Sequence, residues 1–168
     1  MDVSFLGGPR PQRGIGVVAP FLLDALTELG VRRLALVTPY TVSATRVLEE
    51  YVGEAGVQVA GCAFRGLTRH IWQVPYRDVV AMARQAVRPG AADALFISCT
   101  NLPTCDVIPQ LEAELRIPVL SANQVTMGAA LRRLGTRAVG PYQALVHKMD
   151  ISAHEWPVLP EEQQEGWT

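Results

Sequence analysis

The feature that most constrains this chain is an alternation of short apolar runs with longer amphipathic stretches, sustained from residue 18 to residue 135. Leu34-Ala35-Leu36-Val37 reads as a buried strand that stops at Thr38-Pro39-Tyr40. Thr41 to Ala55 then carries Val42, Val47, Leu48, Tyr51 and Val52 at helical spacing, with Glu49, Glu50 and Glu54 toward water and Gly56 as its stop. Val57 to Phe64 reads as a second strand, and Tyr76 to Val87 as a helix closed by Pro89-Gly90. Ala94-Leu95-Phe96-Ile97 is apolar on both faces, as at the centre of a parallel sheet. Val107 to Leu115 is expected to be a helix that Thr104 or Asp106 can cap, and Ile117-Pro118-Val119-Leu120 a fourth strand. A last helix, Val125 to Leu134, has Ser121 or Asn123 available as its cap and ends at Gly135. A helix from Val18 to Leu29, ended by Gly30, precedes the first strand. The order α-β-α-β-α-β-α-β-α predicts an α/β fold: an open, mostly parallel four-stranded sheet with helices on both faces. In such sheets ligands bind beyond the carboxyl ends of the strands.

The chain divides accordingly into an irregular N-terminal segment (1–17), the α/β lobe (18–135) and a C-terminal extension (136–168). Within that extension, Ile151 to Thr168 contains Pro157, Pro160, Trp156 and Trp167 without periodicity and reads as a tail. Hydrophobic residues at 49% against 18% charged supply a core and exclude disorder. A net charge of -1 leaves no basic face for a nucleic acid. No apolar run approaches the roughly 18 to 20 residues that span a bilayer, and the N-terminus has neither the basic start nor the apolar stretch of a secretion signal. Cys62, Cys99 and Cys105 form no disulfide-framework pattern, which fits a reducing cytoplasm, and their spacing to histidine gives no metal site.

Cys99, in Ser98-Cys99-Thr100-Asn101, is the leading candidate for chemistry, because it lies where the third strand runs into a loop and a helix start. Backbone N–H groups at such a place favour a negative charge and make a thiol a nucleophile or a proton carrier. A buried structural cysteine at a strand end is the competing reading. Tyr40, after the first strand, belongs on the same rim, where its phenol can donate to a carboxylate or enolate or can simply pack. Ser121, Asn123 and Gln124 close the fourth strand there, as suited to binding as to capping. Cys62 reads as core, and Cys105 as helix-start packing with a resolving-thiol role as the alternative. Gly14-Ile15-Gly16-Val17-Val18-Ala19 fits a loose GxGxxA pattern, but no strand precedes it, so it does not mark a dinucleotide site. His70, His147 and His154 have no partner spacing.

Taken together, Gly30-Val31-Arg32-Arg33-Leu34-Ala35-Leu36-Val37-Thr38-Pro39-Tyr40, Leu95-Phe96-Ile97-Ser98-Cys99-Thr100-Asn101-Leu102, Asp106-Val107-Ile108-Pro109 and Ile117-Pro118-Val119-Leu120-Ser121-Ala122-Asn123-Gln124 resemble the aspartate/glutamate racemase superfamily, in its maleate cis-trans isomerase and arylmalonate decarboxylase branch. That family works without cofactors, holding a small dicarboxylate or amino acid between two similar α/β lobes. The resemblance implies an isomerase, racemase or decarboxylase with no metal. Cys99 would be the second-lobe cysteine that gives or takes a proton next to a carboxylate. Tyr40 would be the tyrosine that donates to the substrate carboxylate or the enediolate, and Thr38, Thr100, Asn101, Ser121 and Asn123 would line the substrate. The family's first-lobe motif, Cys-Thr-Ser or Thr-Ser, has no counterpart here, and Ser4-Phe5-Leu6-Gly7-Gly8-Pro9 resembles the stretch that follows it. His70 falls near where the isomerases often have an asparagine. These departures imply a shortened chain, a poor catalyst as a lone monomer, and as an alternative a non-catalytic remnant that dimerises or binds a small ligand. A homo-oligomer is the expected assembly.

Overall fold

Each apolar run becomes a strand of one sheet, and each amphipathic stretch a helix across one of its faces. The computed structural model describes residues 18–135 and Leu145. The expectations for residues 1–17, for the C-terminal extension and for His147 and His154 therefore lie outside the described residues. In chain order the elements are α1 (Val18–Glu28), β1 (Arg33–Thr38), α2 (Val42–Glu54), β2 (Gln58–Phe64), α3 (Tyr76–Ala86), β3 (Ala94–Ile97), α4 (Ile108–Leu115), β4 (Val119–Ser121) and α5 (Ala122–Arg133). Short 3-10 turns occupy Ile71–Gln73 and Cys105–Val107. The strand order is β2-β1-β3-β4 and every pairing is parallel. This is the α/β architecture that the alternation predicts.

Parallel strands joined by helical crossovers are covered on both faces, and the side-chain alternation sorts the core into two layers. Ala35, Val37, Leu95 and Ile97 point into one layer with Val79, Val80 and Ala83 of α3 and Ile108 and Leu111 of α4. Leu34, Leu36, Ala94 and Phe96 point into the other with Leu22 and Leu26 of α1, Leu48 and Val52 of α2, and Val125 of α5. At the amino end of the sheet, Asp93 accepts from the backbone N–H groups of Arg32 and Arg33 and pairs with the Arg33 guanidinium at 2.7 Å, tying the start of β3 to that of β1. The Arg33 guanidinium holds the Asp93 carboxyl below its ordinary range. Among the described residues no helix is long and apolar enough to cross a membrane.

Several boundaries differ from expectation by one to three residues, and three of them have a clear local reason. β4 starts at Val119 rather than Ile117, because Pro118 has no N–H for a ladder; its carbonyl instead accepts from Leu95 N at 2.9 Å. The buried carboxylate of Glu112 takes the Val119 N–H at 2.9 Å and so fixes where the strand enters. α5 starts at Ala122 rather than Val125, because Ser121 and Gln124 close a reciprocal capping box around its first turn. α4 starts only at Ile108, and neither Thr104 nor Asp106 caps it: the Thr104 side chain makes no cap bond, and the Asp106 carboxylate accepts from the Tyr76 hydroxyl at 2.7 Å.

β2 carries one irregularity that sets the depth of α3. The register with β1 shifts between Leu34 and Ala35, so that Ala60 is skipped and Gly61 faces Ala35. A Cβ on Gly61 would overlap the carbonyl oxygen of Ala86 at the end of α3. The obstructing atom is backbone, so α3 as a whole must move. Gly61→Ala is expected to lower stability by about 1–3 kcal/mol, as overpacked cores do. Chemical denaturation of the two proteins checks this, and equal midpoints would show that the helix yields freely.

Candidate active site

Four parallel strands deliver their carboxyl ends to one rim, and the rim is where the chain places Tyr40, Cys99, the Thr100–Leu102 turn and Asn123. The Ser98 N–H donates to the Val37 carbonyl at 2.8 Å, prolonging the β1–β3 pairing by one step. The chain then turns sharply. Cys99 has φ 92, in the left-handed region that a side chain disfavours, and conformations of that kind cost about 1–3 kcal/mol. The turn is over-determined by its surroundings. Leu102 N–H reaches back to the Cys99 carbonyl at 3.4 Å, and the Asn123 side-chain amide donates to the Thr100 carbonyl at 3.1 Å. The result aims the Asn101 N–H at the Cys99 sulfur, 3.4 Å away. The helix start expected beside Cys99 is absent, since α4 begins well downstream, and this turn supplies the donor instead.

Tyr40 stands next to the thiol. Burial pushes its phenol up from the ordinary value of 10.0, hydrogen bonding and charge interaction with Cys99 push it further, and the Ser98 hydroxyl opposes them. Tyr40 is therefore a phenol that keeps its proton, a donor across the neutral range. Its position is set by the loop after β2, which lays three N–H groups on the strand end: Arg65 on Thr38 O at 3.2 Å, Gly66 on Tyr40 O at 2.9 Å and Leu67 on Pro39 O at 2.8 Å.

The remaining candidates separate by burial. Thr100, Asn101 and Asn123 are exposed on the rim, Asn123 with its amide already engaged by Thr100. Thr38 is fully buried and shares its hydroxyl with Thr45 at 2.6 Å, so it lies under the rim and braces α2. Ser121 is also buried and spends its hydroxyl on the α5 cap. Both differ in this from the expected ligand contact. Cys62 packs half-buried against the α1–α2 layer, its thiol pushed up to about 12 by burial and then by Glu49. Cys105 is exposed rather than packed, and Val107 fills the core at that turn. His70 is exposed in the loop after β2 with φ 59, its ring 5.2 Å from that of Trp72. Ser98 and Thr45 were not singled out from the sequence. Ser98 could have been, from its place one residue before Cys99. Thr45 had no signal, being an ordinary helical threonine. Among the described residues no group of three or more His, Cys, Asp or Glu is gathered to hold a metal ion.

Comparison with known proteins agrees with the fold. Residues 16–145 match the arylmalonate decarboxylase family model. The chain is 31% identical over 118 residues to an arylmalonate decarboxylase of Bordetella bronchiseptica, covering 68% of this chain and 49% of that protein. It is 27% identical over 124 residues to a maleate isomerase of Geobacillus stearothermophilus, covering 71% and 49%. In structure it is similar to the Nocardia farcinica maleate cis-trans isomerase solved with a covalently bound succinylcysteine intermediate, with a TM-score of 0.68 at 27% identity over 71% of this chain and 50% of that one. A liganded mutant of an arylmalonate decarboxylase gives a TM-score of 0.73 at 28% identity over 79% and 58%. The chain thus spans about half the length of the curated relatives it matches.

The Tyr40 environment has a consequence for stability in alkali. An unfolded tyrosine ionises near 10.0, whereas native Tyr40 holds its proton to higher pH. Above that value the native state binds more protons than the unfolded one, so stability falls as pH rises. Tyr51, Tyr76 and Cys62 are raised in the same direction and share the effect. Tyr40→Phe is expected to make the fall between about pH 10 and 11 shallower. Urea titrations across that range read it, and parallel curves for the two proteins would refute it.

Proposed function

Because the chain belongs to the arylmalonate decarboxylase family, we propose that it holds a small dicarboxylate at the Tyr40–Cys99 rim and that Cys99 exchanges a proton with the carbon next to a carboxylate, without a cofactor. The observation that carries this reading is the Cys99 turn itself. A strained left-handed cysteine is held by Asn123 through Thr100, with an N–H aimed at its sulfur and a protonated phenol beside it. A cysteine that served only as packing at a strand end would require none of these.

Decarboxylation shows what the two residues are asked to do. As the bond between the central carbon and one carboxylate breaks, carbon dioxide leaves and its electron pair spreads into the other carboxylate as an enediolate. The Tyr40 O–H donates to the oxygen on which charge accumulates, the kind of preorganised donor that is strongest at a developing anion. The Cys99 thiol then passes its proton to the carbon, leaving a thiolate that faces the Asn101 N–H. A water proton restores the thiol. Isomerisation makes the same two demands, sulfur at the reacting carbon and a donor on a carboxylate oxygen. Thr100 and Asn101, exposed beside the sulfur, lie on the path that such a substrate takes onto the rim.

Cys99→Ala is expected to lower turnover of phenylmalonate or maleate at least about 100-fold, the usual scale of a lost proton carrier. Tyr40→Phe is expected to cost about 100-fold or more in kcat, as for a lost oxyanion donor. Proton NMR of substrate and product follows both. Turnover that persists unchanged in Cys99→Ala rejects the assignment.

A further inference from the structure

Ser98 is a buried hydroxyl that no step proposed above uses. It lines a cavity of about 180 Å³ on the α1–α2 side of the sheet. Leu22 of α1, Ala44 and Leu48 of α2 and Phe96 of β3 wall this cavity with hydrocarbon, and Tyr40 and Ser98 are its polar side chains. The Ser98 N–H is held by the Val37 carbonyl at 2.8 Å, which fixes the residue at the end of the β1–β3 ladder. A buried hydroxyl needs a hydrogen-bond partner, and the apolar walls supply none. Its partner is the Tyr40 phenol. The direction of that bond decides what the phenol can do, because a phenol has one proton to give and an oxygen that can also accept. Beyond the effect of burial, contact with Cys99 favours the protonated phenol and contact with Ser98 favours the ionised one. An acceptor of the phenol's proton does the first, and a donor to its oxygen does the second. The bonds therefore run from Ser98 to Tyr40 and from Tyr40 toward Cys99.

We propose that Ser98 is a positioning residue for the phenol: its hydroxyl donates to the Tyr40 oxygen and so keeps the Tyr40 proton directed out of the cavity, toward the rim. The proposal rests on the reading of Tyr40 as the donor to a substrate carboxylate and adds the residue that orients it. Were the bond reversed, the phenol's one proton would be spent on Ser98 inside the cavity. Hydrogen bonds in a chain polarise one another, so the donation from Ser98 also strengthens the one that Tyr40 makes. The gain is largest when charge accumulates on the enediolate, because the Tyr40 oxygen then becomes a better acceptor. Ser98 acts only through the phenol and gives up no proton.

Two variants of the full chain test this. Ser98→Ala removes the donor, whereas Ser98→Thr keeps it, and the cavity has room for the added methyl group. The first readout needs no turnover: the chain is labelled with 3-fluorotyrosine, whose fluorine brings phenol ionisation into an accessible range, and followed by fluorine NMR against pH. The Tyr40 signal is the one missing from Tyr40→Phe. Its ionisation constant is expected to fall about 3- to 10-fold in Ser98→Ala, the scale of one hydrogen bond, and to stay at the parent value in Ser98→Thr. Equal titration in the parent and Ser98→Ala overturns the proposal, as does a Ser98→Thr curve that follows Ser98→Ala. The second readout is turnover of phenylmalonate. Ser98→Ala is expected to lower kcat by about 3- to 10-fold with KM unchanged, and to cost nothing further in a Tyr40→Phe background. An undiminished loss in that background overturns the proposal, because Ser98 would then act without the phenol. The two readings fail separately. A Tyr40 titration that depends on Ser98, with turnover unaffected by Cys99→Ala, keeps the Ser98–Tyr40 bond and rejects the proton transfer. Thiol-dependent turnover with a Tyr40 titration indifferent to Ser98 does the reverse.

Discussion

The parallel pairing of β1 with β3 is the constraint on which the rest of the structure depends. β1 is hydrogen-bonded on both sides, to β2 and to β3, and the ladder with β3 runs from Leu34–Ala94 to Val37–Ile97. Its last bond, Ser98 N–H to Val37 O, lies between the two residues on which the chemistry is proposed to turn. Because the strands are parallel, Tyr40 and Cys99 leave the sheet on the same side. An antiparallel pairing would have put them at opposite ends of the domain. The Asp93 clamp on Arg32 and Arg33 holds the register from the other end, and the N–H groups of Arg65, Gly66 and Leu67 fasten the β1 exit.

Most of that frame is legible in the sequence because burial is periodic. The runs at 34–37 and 94–97 have no polar residue on either face, which only a strand covered on both sides tolerates. Edges are harder to read, since they are decided by single hydrogen bonds. β4 slips two residues past its apolar run because proline cannot donate, and α5 gains three residues because Gln124 completes a capping box with Ser121. The strand order and the skipped residue at Ala60 depend on contacts across the fold, and Gly61 announces them only after the approach of Ala86 is known.

The rim divides in the same way. Cys99 and Tyr40 are visible because both follow strand-like runs, and position at a strand end is a property of the sequence pattern. The left-handed backbone at Cys99 is not visible, because the usual marker of that conformation is glycine and here a side chain occupies it. Thr38 and Ser121 look like rim residues for the same reason that Tyr40 does. What separates them is depth: a short hydroxyl side chain at a strand terminus can turn back toward its own helix start. Thr38 finds Thr45 and Ser121 finds the Gln124 N–H. Asn123, longer and on the first turn of α5, reaches outward to the Thr100 carbonyl and steadies the turn that carries the sulfur.

The alternation along β3 gives the rim its handedness. Phe96 belongs to the α1–α2 layer and Ile97 to the α3–α4 layer. One step further, Ser98 lines the cavity on the first side while Cys99 packs against the second layer. The thiol and the cavity therefore lie on opposite sides of the same strand end, with Tyr40 touching both.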